Sequence, residues 1–204
     1  YRGRDQKNQD AVVVVHGDGK AALADFAQGG PGPLVKGLMA QGKAVLCIDA
    51  FLLGEHHAPD KRTERFTVGK FMDTFQPTDT GYRVQDVLTA MAFLRARRDM
   101  TGQVNLVGLK DGGMWCLFAG AIDGQAACTV ADLNHFPVDD DAAWVKSFYI
   151  PCIRSIGDIE TAAAMIAPRR LLVMNADTAK NKRWLGARVQ DGPVETAALI
   201  EALR

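Results

Sequence analysis

The sequence predicts an α/β protein: a three-layer sandwich with a mostly parallel central sheet between helices. Three observations carry that prediction. The apolar runs are short, continuous and rich in β-branched residues, as in strands covered on both faces. They alternate with longer stretches of helical periodicity, the βαβ pattern that builds parallel sheets. The composition is that of an ordinary folded chain, with 204 residues, 48% hydrophobic and 24% charged. A chain of this size forms one core without staples, so a single domain over residues 1–204 is expected.

The elements follow in order. Residues 11–15 read as a strand ending at His16-Gly17. The breaker Gly29-Gly30-Pro31-Gly32-Pro33 precedes a helix over 34–41, and residues 44–48 form a second strand ending at Asp49. Segment 50–80 holds Gly54, Pro59, Gly69 and Pro77. A connection that long in a compact domain is a lid, a binding loop or the carrier of a short helix. Residues 82–98 give the clearest helix, because Val84, Val87, Leu88, Met91 and Leu94 share one face. Asp79 or Thr80 can cap its start, and the Arg95, Arg97, Arg98 cluster suits its C-terminal dipole. Residues 104–109 are a third strand, followed by an almost wholly apolar helix over 113–122. Residues 128–133 are a fourth strand, and Asp139-Asp140-Asp141 reads as a solvated helix start. A helix over 159–166 stops before Pro168, residues 171–174 are a fifth strand and 188–190 a short sixth. A helix over 193–203 closes the chain.

Charge excludes some functions. Twenty-four Lys and Arg balance 24 Asp and Glu, so no net field draws in nucleic acid or an anionic membrane. The run Lys180, Lys182, Arg183 reads as a solvated loop. No stretch of 18 apolar residues is present, so no membrane span is expected. The chain reads as soluble, and its start at Tyr1 rather than Met suggests a processed or trimmed product. Cys47, Cys116, Cys128 and Cys152 form no CxxC pair. Buried free thiols are expected rather than disulfides or metal ligands.

The stretch Val104-Asn105-Leu106-Val107-Gly108-Leu109-Lys110-Asp111-Gly112-Gly113-Met114-Trp115 carries the chemistry. A strand enters a turn flanked by small residues and leaves as an apolar helix, the G-x-Nuc-x-G pattern of a nucleophile elbow. Gly108, Gly112 and Gly113 supply the space such a turn needs. Lys110 occupies the nucleophile register.

These residues resemble the α/β-hydrolase fold, and within it the acetylxylan-esterase-like and dienelactone-hydrolase-like group. Val12-Val13-Val14-Val15-His16-Gly17 is similar to the strand and His-Gly turn leading into the oxyanion loop. Ala44-Val45-Leu46-Cys47-Ile48-Asp49 with Gly54-Glu55 is similar to the next strand and its turn. Arg83-Val84-Gln85-Asp86-Val87-Leu88 matches the helix before the elbow. Asp132-Leu133-Asn134 and Ala167-Pro168-Arg169-Arg170-Leu171-Leu172 match the last core strands. The likeness covers roughly residues 10–176, in the order of a trimmed α/β-hydrolase fold.

The resemblance implies carboxylic-ester hydrolysis, with acetylated sugars as substrates, but the chain departs from the pattern where it matters. Lys110 replaces the serine, and no His follows His135. Asp177 stands at the acid position, and His135, at a strand end, is a candidate substitute base. The resemblance places oxyanion donors in the loop of His16, Gly17 and Asp18 and at the Asp111 N–H, which do not depend on side chains. A lysine nucleophile needs a depressed pKa, which the helix N-terminus favours and Asp111 opposes. Lys110 instead reads as paired with an acid such as Asp111 or Asp177, or as part of an anion site with the helix N-terminus and the oxyanion loop. The expectation is an impaired ester hydrolase, a pseudoenzyme binding a small ester or anion. The competing class is a non-catalytic binding or structural domain of a larger assembly.

A third reading rests on Gly17-Asp18-Gly19-Lys20-Ala21-Ala22, which fits the G-x-G-x-x-A dinucleotide fingerprint, with Asp49 ending the next strand. The breaker at 29–33 interrupts the helix that reading requires. His56-His57 beside Glu55 lack a third ligand at recognisable spacing. They are expected to rim the pocket, with no metal and no cofactor.

Overall fold

The computed structural model describes residues 1–2, 9–57, 60, 65, 75–176 and 187–204. Six strands form one sheet in the order β4-β1-β5-β6-β7-β8. They are β1 Ala11–His16, β4 Ala44–Ile48, β5 Val104–Leu109, β6 Cys128–Asp132, β7 Arg170–Met174 and β8 Arg188–Gln190. Every pairing between them is parallel. A two-stranded antiparallel ribbon, β2 Ala24–Asp25 and β3 Gly30–Pro31, stands apart from the sheet. The outer edge of β4 is met by Tyr1, which exchanges both backbone hydrogen bonds with Val45 at 2.8 and 2.9 Å.

The continuous apolar runs are explained by burial on both faces. Ala11, Val13 and Val15 of β1 join one core cluster, and Val12 and Val14 join the other. Leu171 and Val173 of β7 likewise face away from Leu172 and Met174. The larger cluster lies under α2 Asp79–Ala96, α3 Asp111–Asp123 and α5 Asp158–Ile166. The smaller one lies under α1 Pro33–Ala40 and α6 Thr196–Ala202. The short α4, Asp141–Ser147, follows Asp140, whose carboxylate accepts the Ala142 and Ala143 N–H groups at 2.8 and 3.3 Å. That is the solvated helix start expected of the Asp triplet.

Differences from expectation lie at the ends of elements. Helix α2 begins at Asp79, capped by Thr78, whose Oγ1 accepts the Gly81 N–H at 3.1 Å. Neither Asp79 nor Thr80 is the cap, because Thr78 is the last extended residue before the helix and Asp79 is already inside it. Helix α3 starts at Asp111, two residues before the apolar pattern does, and α6 is shorter than 193–203. Cys116 and Cys128 are buried free thiols, Cys47 is half-buried and Cys152 exposed. Among the described residues no helix is long and apolar enough to cross a membrane.

Candidate functional site

The strand order fixes where a site belongs. From β1 the chain moves outward to β4, then returns to the other side of β1 for β5. Connections leaving the carboxyl ends of β1 and β5 therefore diverge and open a crevice. β1 ends at His16, and Lys110 directly follows β5.

Lys110 sits at φ 52°, ψ −135°, a sparsely populated conformation for a residue with a side chain. Packing imposes it. A Cβ on Gly108 would lie 2.2 Å from the Gly112 carbonyl oxygen, and one on Gly112 would lie 2.5 Å from that of Val15. A Cβ on Gly113 would lie 1.8 Å from the carbonyl oxygen of Asp132. Only glycine lets α3 approach the strand ends this closely, and that approach forces the turn. The result is a tight strand–turn–helix that places Lys110 at the crevice.

The elbow rests on a carboxylate. Asp132, at the end of β6 and 5% exposed, accepts the Lys110 N–H at 3.1 Å through Oδ2. Its Oδ1 accepts the Asn134 N–H at 3.0 Å and the Asn175 Nδ2 at 2.8 Å. Asn175 follows β7, and its Oδ1 accepts the Gly192 N–H at 3.1 Å. The ends of β5, β6, β7 and the chain beyond β8 are thus joined through two side chains. Asn134, His135 and Asn175 all have positive φ, and the Asn175 carbonyl accepts the His135 N–H at 2.9 Å. Sequence reasoning missed Asn175 and Gly192 and gave Asp132 no role. The available signal was the pair of asparagines just past strand ends, since Asn tolerates left-handed backbone.

The lysine amine does not lie free. Its Nζ donates to Asp18 Oδ2 at 2.6 Å, so its partner is Asp18 rather than Asp111. The loop after β1 curls over the turn, with the Gly17 N–H on the Leu109 carbonyl at 3.0 Å, and this delivers Asp18 to Lys110. The Lys110 ammonium holds the Asp18 carboxyl below the usual carboxylate range. Asp177, the expected acid and the other suggested partner, lies outside the described residues.

The loop's backbone donors are spent internally. The Asp18 N–H donates to His16 Nδ1 at 3.1 Å, the Gly19 N–H to the His16 carbonyl at 2.9 Å and the Lys20 N–H to Asp49 Oδ1 at 2.7 Å. With Gly17 on Leu109, four consecutive N–H groups have acceptors within the fold. Because His16 Nδ1 accepts, its ring proton belongs on Nε2, and burial pushes its pKa below the ordinary 6.5. The Asp111 carboxyl is shifted up, chiefly by burial.

A cavity of about 620 Å³ opens at this point. His16, Lys110, Asp132, Asn134, His135 and Asn175 line its polar end. The structure thus brings His135 into the cavity of Lys110, where it is exposed. His56 and His57 do not rim this cavity. His56 lines a separate groove of about 410 Å³ beside Cys47, Asp49 and Asp86. The reason is topological: the 3₁₀ turn Gly54–His56 follows β4, on the far side of β1 from β5. The dinucleotide reading fails on geometry as well. The glycines lead into a four-residue 3₁₀ turn, Lys20–Leu23, and not an α-helix. The Asp49 carboxylate is taken by the Lys20 and Glu55 N–H groups at 2.7 and 3.1 Å.

This arrangement has relatives among solved structures. A candidate acetyl xylan esterase from Bacteroides fragilis superposes with a TM-score of 0.68 at 13% identity, over 92% of this chain and 60% of that one. A ferulic-acid-bound protein from Butyrivibrio proteoclasticus gives 0.66 at 10% identity, over 100% and 90%. A dienelactone hydrolase from Anabaena variabilis gives 0.56 at 15%, over 96% and 83%. The fold is that of the α/β-hydrolases. Within this fold β5, Lys110 and α3 form one strand–turn–helix unit, and the chain spans three-fifths of the length of the Bacteroides structure. No known family's sequence pattern matches the chain, and no curated protein matches it in sequence.

Proposed function

We propose that this α/β-hydrolase-fold protein does not hydrolyse esters by a serine-type triad, and that the cavity at its elbow is a small-molecule binding site. The observation that carries the reading is the Lys110–Asp18 pair at 2.6 Å. An ammonium donating to a carboxylate has no lone pair with which to attack a carbonyl. A triad also needs a base and a group orienting it. His135 shares the cavity, but the carboxylate of Asp132, which lines the same cavity, accepts from backbone and amide donors rather than from the imidazole.

The oxyanion contribution is weak too. Enzymes stripped of triad members keep about 10³–10⁴-fold catalysis through preorganised donors and binding. Here the N–H groups of residues 17–20 already have acceptors, so the β1 loop could serve a developing oxyanion only by breaking a hydrogen bond, which leaves the Asp111 N–H as the donor at the turn. What remains is a crevice at a switch point, with Lys110 as its one cation among the described residues, several amide and imidazole groups, and apolar walls.

The test is hydrolysis of p-nitrophenyl acetate. Wild type, Lys110→Ala and Lys110→Ser should all run at the buffer rate. Turnover by wild type that disappears in Lys110→Ala would overturn the reading. So would efficient rescue by Lys110→Ser, which would make His135 or an undescribed residue a working base.

A further inference from the structure

The elbow cavity has two chemically different ends, and together they select a ligand class. The polar end lies at the carboxyl ends of the strands. The other wall is formed by Leu23, Leu34, Leu109, Val194 and Leu199. All five belong to, or pack on, the smaller core cluster. The cavity is therefore an opening into the apolar layer between the sheet and helices α1 and α6. Its volume of about 620 Å³ falls within the roughly 300–1,000 Å³ range of small-molecule sites.

We propose that this cavity binds an aliphatic monocarboxylate of medium chain length, its carboxylate on the Lys110 ammonium and its chain against the leucine wall. This rests on the reading of the cavity as a binding site. Lys110 is the cation at the polar end among the described residues, and both it and Asp18 are at least half exposed, at 50% and 59% of their side chains. Pairs this exposed contribute about 0–1 kcal/mol, so an incoming carboxylate can take Asp18's place. Asp132 does not hold Lys110's amine: its oxygens accept from the Lys110 N–H, Asn134 and Asn175, and the amine donates to Asp18. Two carboxylates at this end disfavour a dianion, which argues for a single negative charge. The leucine wall rewards a chain, since each buried CH₂ favours binding about fourfold.

Isothermal titration with acetate, butanoate, hexanoate and octanoate tests the proposal, with octan-1-ol and octylamine as controls. Affinity should rise about threefold to fourfold per CH₂, with octanoate well ahead of both controls. Lys110→Met should weaken octanoate about twofold to fivefold, as for an ion pair this exposed, and leave octan-1-ol unchanged, whereas Asp18→Asn should tighten octanoate. Ala24→Trp, at a half-buried wall position outside the core, should remove the chain-length dependence without loss of folding by circular dichroism. Equal binding of acetate and octanoate, octan-1-ol matching octanoate, or an indifferent Lys110→Met would each overturn the proposal. Flat titrations alongside absent ester turnover would sink this inference alone, whereas turnover would sink the functional reading whatever the titrations show.

Discussion

Two loops meet at the crevice, and they are held by different means, one by packing and the other by polar partners. The β5–α3 turn keeps the elbow's backbone even though its residue is lysine, because Gly108, Gly112 and Gly113 are pressed against backbone on three sides. The β1 loop has the His-Gly start of an oxyanion loop, yet it turns its N–H groups inward and sends Asp18 across to Lys110. Steric geometry set by glycine does not depend on which side chain stands at the turn. Donor geometry depends on local partners, and here His16, Leu109 and Asp49 have taken those donors.

The sharpest way to break the comparison is at Gly113. Its missing Cβ would lie 1.8 Å from backbone that cannot move without the sheet. Gly113→Ala should cost more than about 3 kcal/mol, beyond ordinary overpacking, and many preparations should fail to fold. Lys110→Gly, three residues away, should do the opposite or nothing, since it relieves a positive φ whose strain is of order 1–3 kcal/mol. Thermal denaturation of both checks the pair. A mild Gly113→Ala would mean that the turn is not held by packing.

Asp132 comes next. Asp132→Ala removes the acceptor for three donors in a buried place. Each group left unsatisfied costs about 1–3 kcal/mol, but the Lys110 and Asn134 donors lie nearer solvent. A loss of about 2–4 kcal/mol in urea denaturation is expected, with Asp132→Asn intermediate. A loss under about 1 kcal/mol would show that the strand ends hold together without it.

The sheet and the elbow were legible for one shared reason: both are written in residue volume. Runs such as Val12-Val13-Val14-Val15 can only be buried on both faces, and three glycines around one position can only be a close approach. The polar half of the site was less legible. Nothing near Lys110 in sequence pointed to Asp18, because the pair spans two loops joined only by the β1–β5 register. Asn175 was passed over because an amide past a strand end has many uses, and its role appears only once β6 and β7 are neighbours. His56 and His57 were misplaced because proximity in sequence to β4 says nothing about which side of β1 the following loop occupies.

The smallest effect expected sharpens the β1 loop's side of the comparison. His16 accepts the Asp18 N–H through Nδ1, a role open only to the neutral ring. Burial lowers its pKa below 6.5 in the fold, so the unfolded chain binds the proton more readily. Its contribution to stability is therefore complete above about pH 6.5 and declines as the pH falls through that value toward the lower folded pKa. The Asp18 carboxyl is shifted in the same direction by Lys110, but its contribution is lost only below the carboxylate range, near pH 4. Urea denaturation of wild type and His16→Gln between pH 7.5 and 5 separates the two. Within that window wild type should lose stability on acidification more steeply than the variant. Equal slopes throughout would mean that His16 titrates as if exposed and that the loop's donors are not held inward by its ring.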